Sequence, residues 1–576
     1  MEDQEDPEDP ENNGDYVIGK GLKGFLYKKL KKKEPEKPKT RAGMIVHALK
    51  EEEKPYTKFH IEYPSRMMYL PTPKPTGTRT ITYALLKPFS YANIKYDTKE
   101  STMVYNIIEP GLNDYEKYVL VKIKEGLIQT INVNLEDIKK HEKILGFLEE
   151  NVQKLIYDYG FDVNDKEYMK IMYYVFRDFV GLDEIESLLA DPLIEDIGCD
   201  GLQLPIYVVH QKFGSMRTNI IFNDEKRLKE FVTKLAERCD RYISYAEPLL
   251  DGSLPDGTRV QASLAKDVTT RGPTFSLRKF RELPLNPIDM IRLKTASSDM
   301  LAYIWFIVEN GANILITGGV STGKTCFLNS ISLFIPQEAK IVSIEDTREL
   351  NLPHENWIPG VARTGFTGTG VGEVTMFELL KESFRQNPDY LIVGEIRGKE
   401  AYVMFQGMAS GHPSMSTIHA GSVDDLMKRL QTHPISLSPG LLESLNAVIV
   451  MTHAKEKGKS ARRIKEIDEI ESIDTDTGIP RVLKTFVWLP HEDNYEYRGN
   501  SWLLGKIARE KGFTFDTVLR DISKRKKLLD WMVENNIINL NDVIDYIRLY
   551  RISPEKAEAI MNGKDHFRKE YIKEIK

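Results

Sequence analysis

The run Gly318-Gly319-Val320-Ser321-Thr322-Gly323-Lys324-Thr325 has the spacing G-x-x-x-x-G-K-T of a loop that cradles a phosphate chain. Its glycines let backbone N–H groups converge on phosphate oxygens where a helix begins, and the helix dipole favours an anion there. Lys324 adds a point charge for the β and γ phosphates of ATP. The Thr325 hydroxyl suits Mg2+, which keeps several waters and takes few protein ligands. Binding is thereby provided for, but hydrolysis also needs an oriented water and a fixed metal shell.

Two acidic positions meet that need. Glu345-Asp346 follows the apolar run 340–344, and Glu395 follows Leu391-Ile392-Val393-Gly394. Carboxylates at the C-terminal ends of parallel strands emerge at the edge where ligands bind. One can prepare the water and the other can fix the magnesium shell. His412 and His419 lie in the small-residue stretch 410–420. An imidazole there can sense a γ-phosphate by hydrogen bonding, although spacing alone leaves both positions open.

These groups need a rigid frame. The segments 313–317, 340–344 and 390–393 are short and nearly all apolar, as strands of a parallel sheet covered on both faces are. Residues 324–334 continue the loop as a helix. We assign the nucleotide-binding core to 286–510, preceded by an α+β domain over 56–285. In that domain 118–122 and 205–210 read as strands, and 137–159 and 224–238 as helices. Residues 511–576 read as a small helical appendage. The first 55 residues form an acidic, then basic tail whose opening has too little apolar surface to order. Within it, the lysine-rich amphipathic segment 20–41 is suited to contacting an anionic membrane surface.

Bulk properties narrow the class. The 576 residues carry a formal charge of −6, which argues against a surface committed wholly to nucleic acid. Cys199, Cys239 and Cys326 are too few and too scattered for a disulfide framework or a zinc site, so a reducing cytosol is expected. No apolar run reaches spanning length, and the acidic start is opposite to that of a signal peptide.

With Glu345-Asp346-Thr347, Val393-Gly394-Glu395-Ile396-Arg397-Gly398 and Ser416-Thr417-Ile418-His419-Ala420-Gly421 lined up behind the phosphate loop, residues 190–430 resemble the secretion ATPase superfamily. That superfamily powers type II and type IV secretion, type IV pili and the archaellum. The strings 192–201, 205–210 and 218–222 resemble its archaeal branch. The strings 345–357, 385–389 and 411–415 are most similar to the archaellum motor ATPase. The resemblance implies a RecA-like P-loop core of α/β class with a separate N-terminal domain. It also implies a cytoplasmic homo-hexamer at the inner face of the cell membrane, working with a polytopic platform protein and accessory motor proteins. It assigns Glu345 as catalytic carboxylate, Glu395 as Walker B acid and His419 as His-box histidine, and offers Arg259, Arg271 and Arg278 as arginines that reach the phosphates. One departure is Val320-Ser321-Thr322, where relatives often carry a Thr-Gly-Ser type of filling. Alternatives are an archaeal pilus or type II-like secretion ATPase, a RecA-like nucleic-acid translocase, and a nonenzymatic nucleotide-gated scaffold. No nucleic-acid partner is expected.

Overall fold

The computed structural model describes residues 56–64, 80–98, 101–130, 141–280, 284–363, 372–456, 459–474 and 477–565. The tail, including the basic segment 20–41, lies outside them. The chain divides into two compact units, one ending at Lys279 and the other beginning at Phe280. Among the described residues no helix is long and apolar enough to cross a membrane.

The first unit is built on a nine-stranded sheet. Its strands are β1 (Ile81–Leu86), β2 (Ser90–Asp97), β3 (Thr102–Ile108), β4 (Ile194–Cys199), β5 (Pro205–His210), β6 (Gly214–Ile221), β7 (Leu249–Ser253), β8 (Arg259–Ser263) and β9 (Thr274–Arg278). They lie in the order β1-β2-β3-β6-β5-β4-β9-β8-β7.

Three helices, α1 (Asp114–Thr130), α2 (His141–Tyr159) and α3 (Asp165–Phe179), share a second core, and α4 (Glu225–Arg238) packs on the sheet. Asp224 caps α4 by accepting from Lys226 N–H, and Leu228, Phe231, Val232 and Leu235 line its buried stripe. The expected strand at 118–122 is instead the middle of α1. Its Tyr-Val-Leu-Val composition favours a strand locally, but Val119, Leu120, Ile123 and Leu127 are buried while Tyr118 and Val121 face outward. That is a helical period, and the tertiary stripe overrides local propensity.

In the second unit β10 (Ile314–Gly318), β11 (Ile341–Glu345), β12 (Trp357–Val361), β13 (Tyr390–Val393), β14 (Ser414–Ile418) and β15 (Ala447–Glu456) run parallel in the order β12-β11-β13-β14-β10-β15. β16 (Lys459–Ile473), β17 (Pro480–Leu489) and β18 (Asn494–Tyr497) continue the sheet antiparallel. The fold is mixed α/β with two large sheets.

Helix α5 (Ser298–Glu309) buries every residue from Met300 to Val308, so it needs cover on all sides. α6 (Lys324–Ser332) provides part of it. The rest comes from the C-terminal helices α7 (Trp502–Lys511), α8 (Phe515–Glu534), α9 (Leu540–Ile552) and α10 (Pro554–Met561), whose Leu528, Leu529, Val543 and Tyr550 join the same apolar cluster. The guanidinium of Arg525 lies 4.7 Å from the Trp305 ring centroid and pairs with Glu309 and Asp521. The helices between Trp502 and Met561 thus share one core with the nucleotide-binding sheet.

Candidate nucleotide site

β10 hands the chain to α6 through the loop 318–323. A Cβ on Gly318 would lie 2.5 Å from the Met451 carbonyl oxygen on neighbouring β15, so only glycine lets the strand end there. Gly323 caps α6 at φ +90, a left-handed conformation. Thr322 Oγ1 donates to Gly319 O at 3.0 Å and closes the loop on itself. Gly318→Ala is expected to lower stability by about 2 kcal/mol or more in a denaturant titration, because rigid backbone must move to admit the methyl.

Lys324 is buried, and its ammonium donates to Gly318 O (3.1 Å) and Gly319 O (2.8 Å) and lies 3.1 Å from His419 Nδ1. An ammonium has only donors, so Nδ1 must be the bare nitrogen and the proton sits on Nε2. Nε2 lies 3.2 Å from Glu395 Oε1, close but outside hydrogen-bond alignment, since that oxygen has no hydrogen-bond partner among the described residues. The other Glu395 oxygen, Oε2, accepts from Arg397 Nη2 at 2.7 Å.

Burial lowers the Lys324 pKa, with Arg397 adding to the effect and Glu395 opposing it. Burial and the Lys324 charge also lower that of His419, in keeping with a neutral imidazole. At Glu395 burial pushes the carboxyl up, but Arg397, His419 and Lys324 together hold it below the ordinary value. Two further bonds lock these strand ends together: Thr317 Oγ1 donates to Ala420 O, and Thr417 Oγ1 donates to Gly394 O.

Glu345 ends β11, and only 2% of it is exposed. Its Oε1 accepts the N–H groups of Glu349 (2.9 Å) and Leu350 (3.0 Å), while Oε2 has no hydrogen-bond partner among the described residues. Burial raises its pKa from 4.5 to about 7, against the pull of those two N–H bonds. Gly394 permits the approach of the two acidic strand ends, since a Cβ there would stand 3.0 Å from Glu345 Cγ.

The structure therefore brings Lys324, Glu345, Glu395 and His419 to the C-terminal ends of the adjacent strands β11, β13, β14 and β10. His412 lies before β14, at the other end of that strand, with its ring 5.3 Å from Phe384.

Of the three arginines, Arg259 and Arg278 are paired in register on β8 and β9. Arg259 Nη2 donates to Asp251 at 3.2 Å, and Arg278 Nε donates to Asp196 at 3.0 Å. Arg271 stands before the opposite end of β9, its carbonyl accepting from Leu202 N–H. The structure thus brings two of the three together and leaves Arg271 apart.

The model of the Type II/IV secretion system protein family matches residues 185–478, which contain the phosphate loop, both acidic strand ends and His419. The chain belongs to this family. It is 34% identical to the uncharacterized protein MJ0900 of Methanocaldococcus jannaschii over 80% of this chain and 89% of that one. It is 32% identical to the type IV secretion system protein PtlH of Bordetella pertussis over 42% of this chain and 80% of that one. Among solved structures, the ATPase DotB of Yersinia pseudotuberculosis matches at 14% identity and a TM-score of 0.37, covering 65% of this chain and 92% of that one.

The residues of this family member fit a nucleoside triphosphate carried with Mg2+. Lys324 supplies a buried positive charge beside the loop, and Glu345 Oε2 is a buried acceptor without a hydrogen-bond partner among the described residues. Among the described residues no group of three His, Cys, Asp or Glu side chains gathers to hold a metal alone. A magnesium ion takes most of its ligands from phosphate and water, and Thr325 and, through water, Glu395 would be the residues to hold one here. Sequence reasoning missed Arg397, although it stands two residues after Glu395. It also missed the backbone N–H groups of Glu349 and Leu350.

Proposed function

We propose that this chain is an ATPase, assembled as a homo-hexamer, that converts ATP hydrolysis into domain motion. The observation that carries this reading is the meeting of Lys324, His419, Glu395 and Glu345 at the C-terminal ends of the parallel strands of one sheet. Phosphate entering the loop draws the Lys324 ammonium toward its oxygens and away from His419 Nδ1, which frees the imidazole to report on the terminal phosphate. Bound Mg2+ would neutralise charge on the phosphate oxygens. Arg397 keeps Glu395 ionised and aimed. Glu345, whose pKa lies near neutrality, takes a proton from the attacking water as the water oxygen bonds to the γ phosphorus. The bond from that phosphorus to the bridging oxygen breaks, and ADP leaves.

The work is proposed to drive assembly or rotation of an archaeal type IV pilus-like filament, the archaellum, through a polytopic platform protein at the inner face of the membrane. The resemblance of the string 345–357 supports this. Cells lacking the protein are expected to lose the filament and swimming. Intact filaments with failed secretion or failed surface attachment would assign the chain to a secretion or pilus system instead. Phosphate release by the purified protein is expected to be indifferent to added DNA, and strong stimulation would indicate a nucleic-acid translocase.

A further inference from the structure

The antiparallel strands β15 and β16 place His453 directly opposite Arg462. Directly opposed residues present their side chains on the same face of a sheet. Here both reach the phosphate loop. His453 Nε2 lies 3.0 Å from the carbonyl oxygen of Val320, and Arg462 Nε donates to that of Ser321 at 3.1 Å. A carbonyl only accepts, so His453 carries its proton on Nε2. The stem of Arg462 also lies along the end of the loop, with its Cδ 3.1 Å from where a Cβ on Gly323 would sit.

From this geometry we propose that His453 and Arg462 are positioning residues for the phosphate loop, gripping two consecutive carbonyls at its tip from outside. The proposal rests on the nucleotide reading above and deepens it.

Two physical points carry it. A trans peptide is planar, with its C=O and N–H pointing in opposite directions. Holding the Val320 oxygen toward the hairpin therefore turns the Ser321 N–H away from it. Holding the Ser321 oxygen does the same for the Thr322 N–H. The pair thus aims two donors of the cradle without touching the ligand.

The second point is strain. Ser321 sits at φ +58, in the left-handed region where a residue with a Cβ pays about 1 kcal/mol or more. Such a conformation persists where surrounding bonds over-determine it, and the Val320 side chain, 76% exposed, contributes little packing. The filling Val320-Ser321-Thr322 is thus held by an external grip. Arg462 also brings a permanent positive charge to the tip, which favours any anion in the cradle.

The test uses the full-length protein with ATP, GTP and inorganic triphosphate, each with Mg2+, and the variants Arg462→Ala, His453→Ala, His453→Gln and Arg462→Lys. Losing a hydrogen bond from a charged donor is expected to raise the KM for ATP in Arg462→Ala about 10-fold, with kcat changed by less than about 3-fold. Affinity for all three probes should fall by a similar factor, because the grip acts on the loop and not on a base. His453→Gln should bind more tightly than His453→Ala, since it keeps a donor, and amide exchange of residues 319–323 should quicken in both alanine variants. Thermal unfolding of each variant separates these effects from loss of fold.

Unchanged affinity in Arg462→Ala and His453→Ala, with the wild type binding normally, would overturn the grip alone. A loss confined to ATP and GTP would also overturn it, because that would mark a contact with the base. A wild type that binds none of the three probes would overturn both the grip and the nucleotide reading.

Discussion

Lys324→Ala is expected to weaken nucleotide binding at least about 100-fold and to abolish phosphate release, since two charge-assisted bonds to phosphate oxygens contribute about 1.5 kcal/mol or more each. The substitution also leaves Gly318 O, Gly319 O and His419 Nδ1 without the donor that joins them. The His419 pKa should therefore rise in the variant, because burial and the Lys324 charge are the first two causes that depress it. Titration of the His419 ring by NMR measures that shift directly. Calorimetric titration with Mg-ATP measures the lost affinity, and wild-type affinity in the variant would remove the loop from the account.

Glu345→Gln should retain binding, because Glu345 makes no contribution to the cradle. It should lower turnover roughly 100- to 10,000-fold, the range of a positioned general base. Its effect on stability has the opposite sign to its effect on activity. The folded-state pKa of about 7 lies above the ordinary 4.5, so between those values the native protein holds a proton that the unfolded chain has released. Stability therefore falls as pH rises through this window and levels off above about 7. At pH 8 the buried carboxylate costs at most roughly 3 kcal/mol. The amide keeps an oxygen for the Glu349 and Leu350 N–H groups but gains an NH2 that needs a partner. We expect the variant to be more stable than wild type by about 1–3 kcal/mol at pH 8 and indistinguishable from it at pH 4, a trade of stability against activity. Asp468, which burial first and then Glu466 raise to about 7, gives the same background in both proteins and cancels in the difference.

What was legible in the sequence follows from how local each signal is. Apolar strands 313–317, 340–344 and 390–393 announce a doubly covered sheet because nearly all of their side chains are buried, Lys340 at one end excepted. The acids behind them follow by counting. The loop glycines were legible from the spacing of the motif alone, although what excludes a Cβ at 318 is the carbonyl of Met451, distant in the chain on neighbouring β15. The misread segment 118–122 carries strand-like residues whose burial is decided by α2 and α3, far along the chain. The helical character of the C-terminal segment as far as Met561 was readable, but its destination was not. That destination is set by α5, whose all-round apolar surface creates the demand for cover. His453 and Arg462 gave no signal, because only the hairpin register makes them neighbours and only the sheet brings them to the loop.

The central claim is that Glu345 is the base of an ATP hydrolysis site. The most direct measurement of it is kcat/KM for phosphate release from pH 5.5 to 9 at saturating Mg2+, in wild type and Glu345→Gln. The wild-type rate is expected to rise about tenfold per pH unit below an apparent pKa near 7 and to be flat above it, because the carboxylate acts only when ionised. Glu345→Gln should show low activity without that limb. A wild-type profile flat across the range, or the same rising limb surviving in Glu345→Gln, would contradict it.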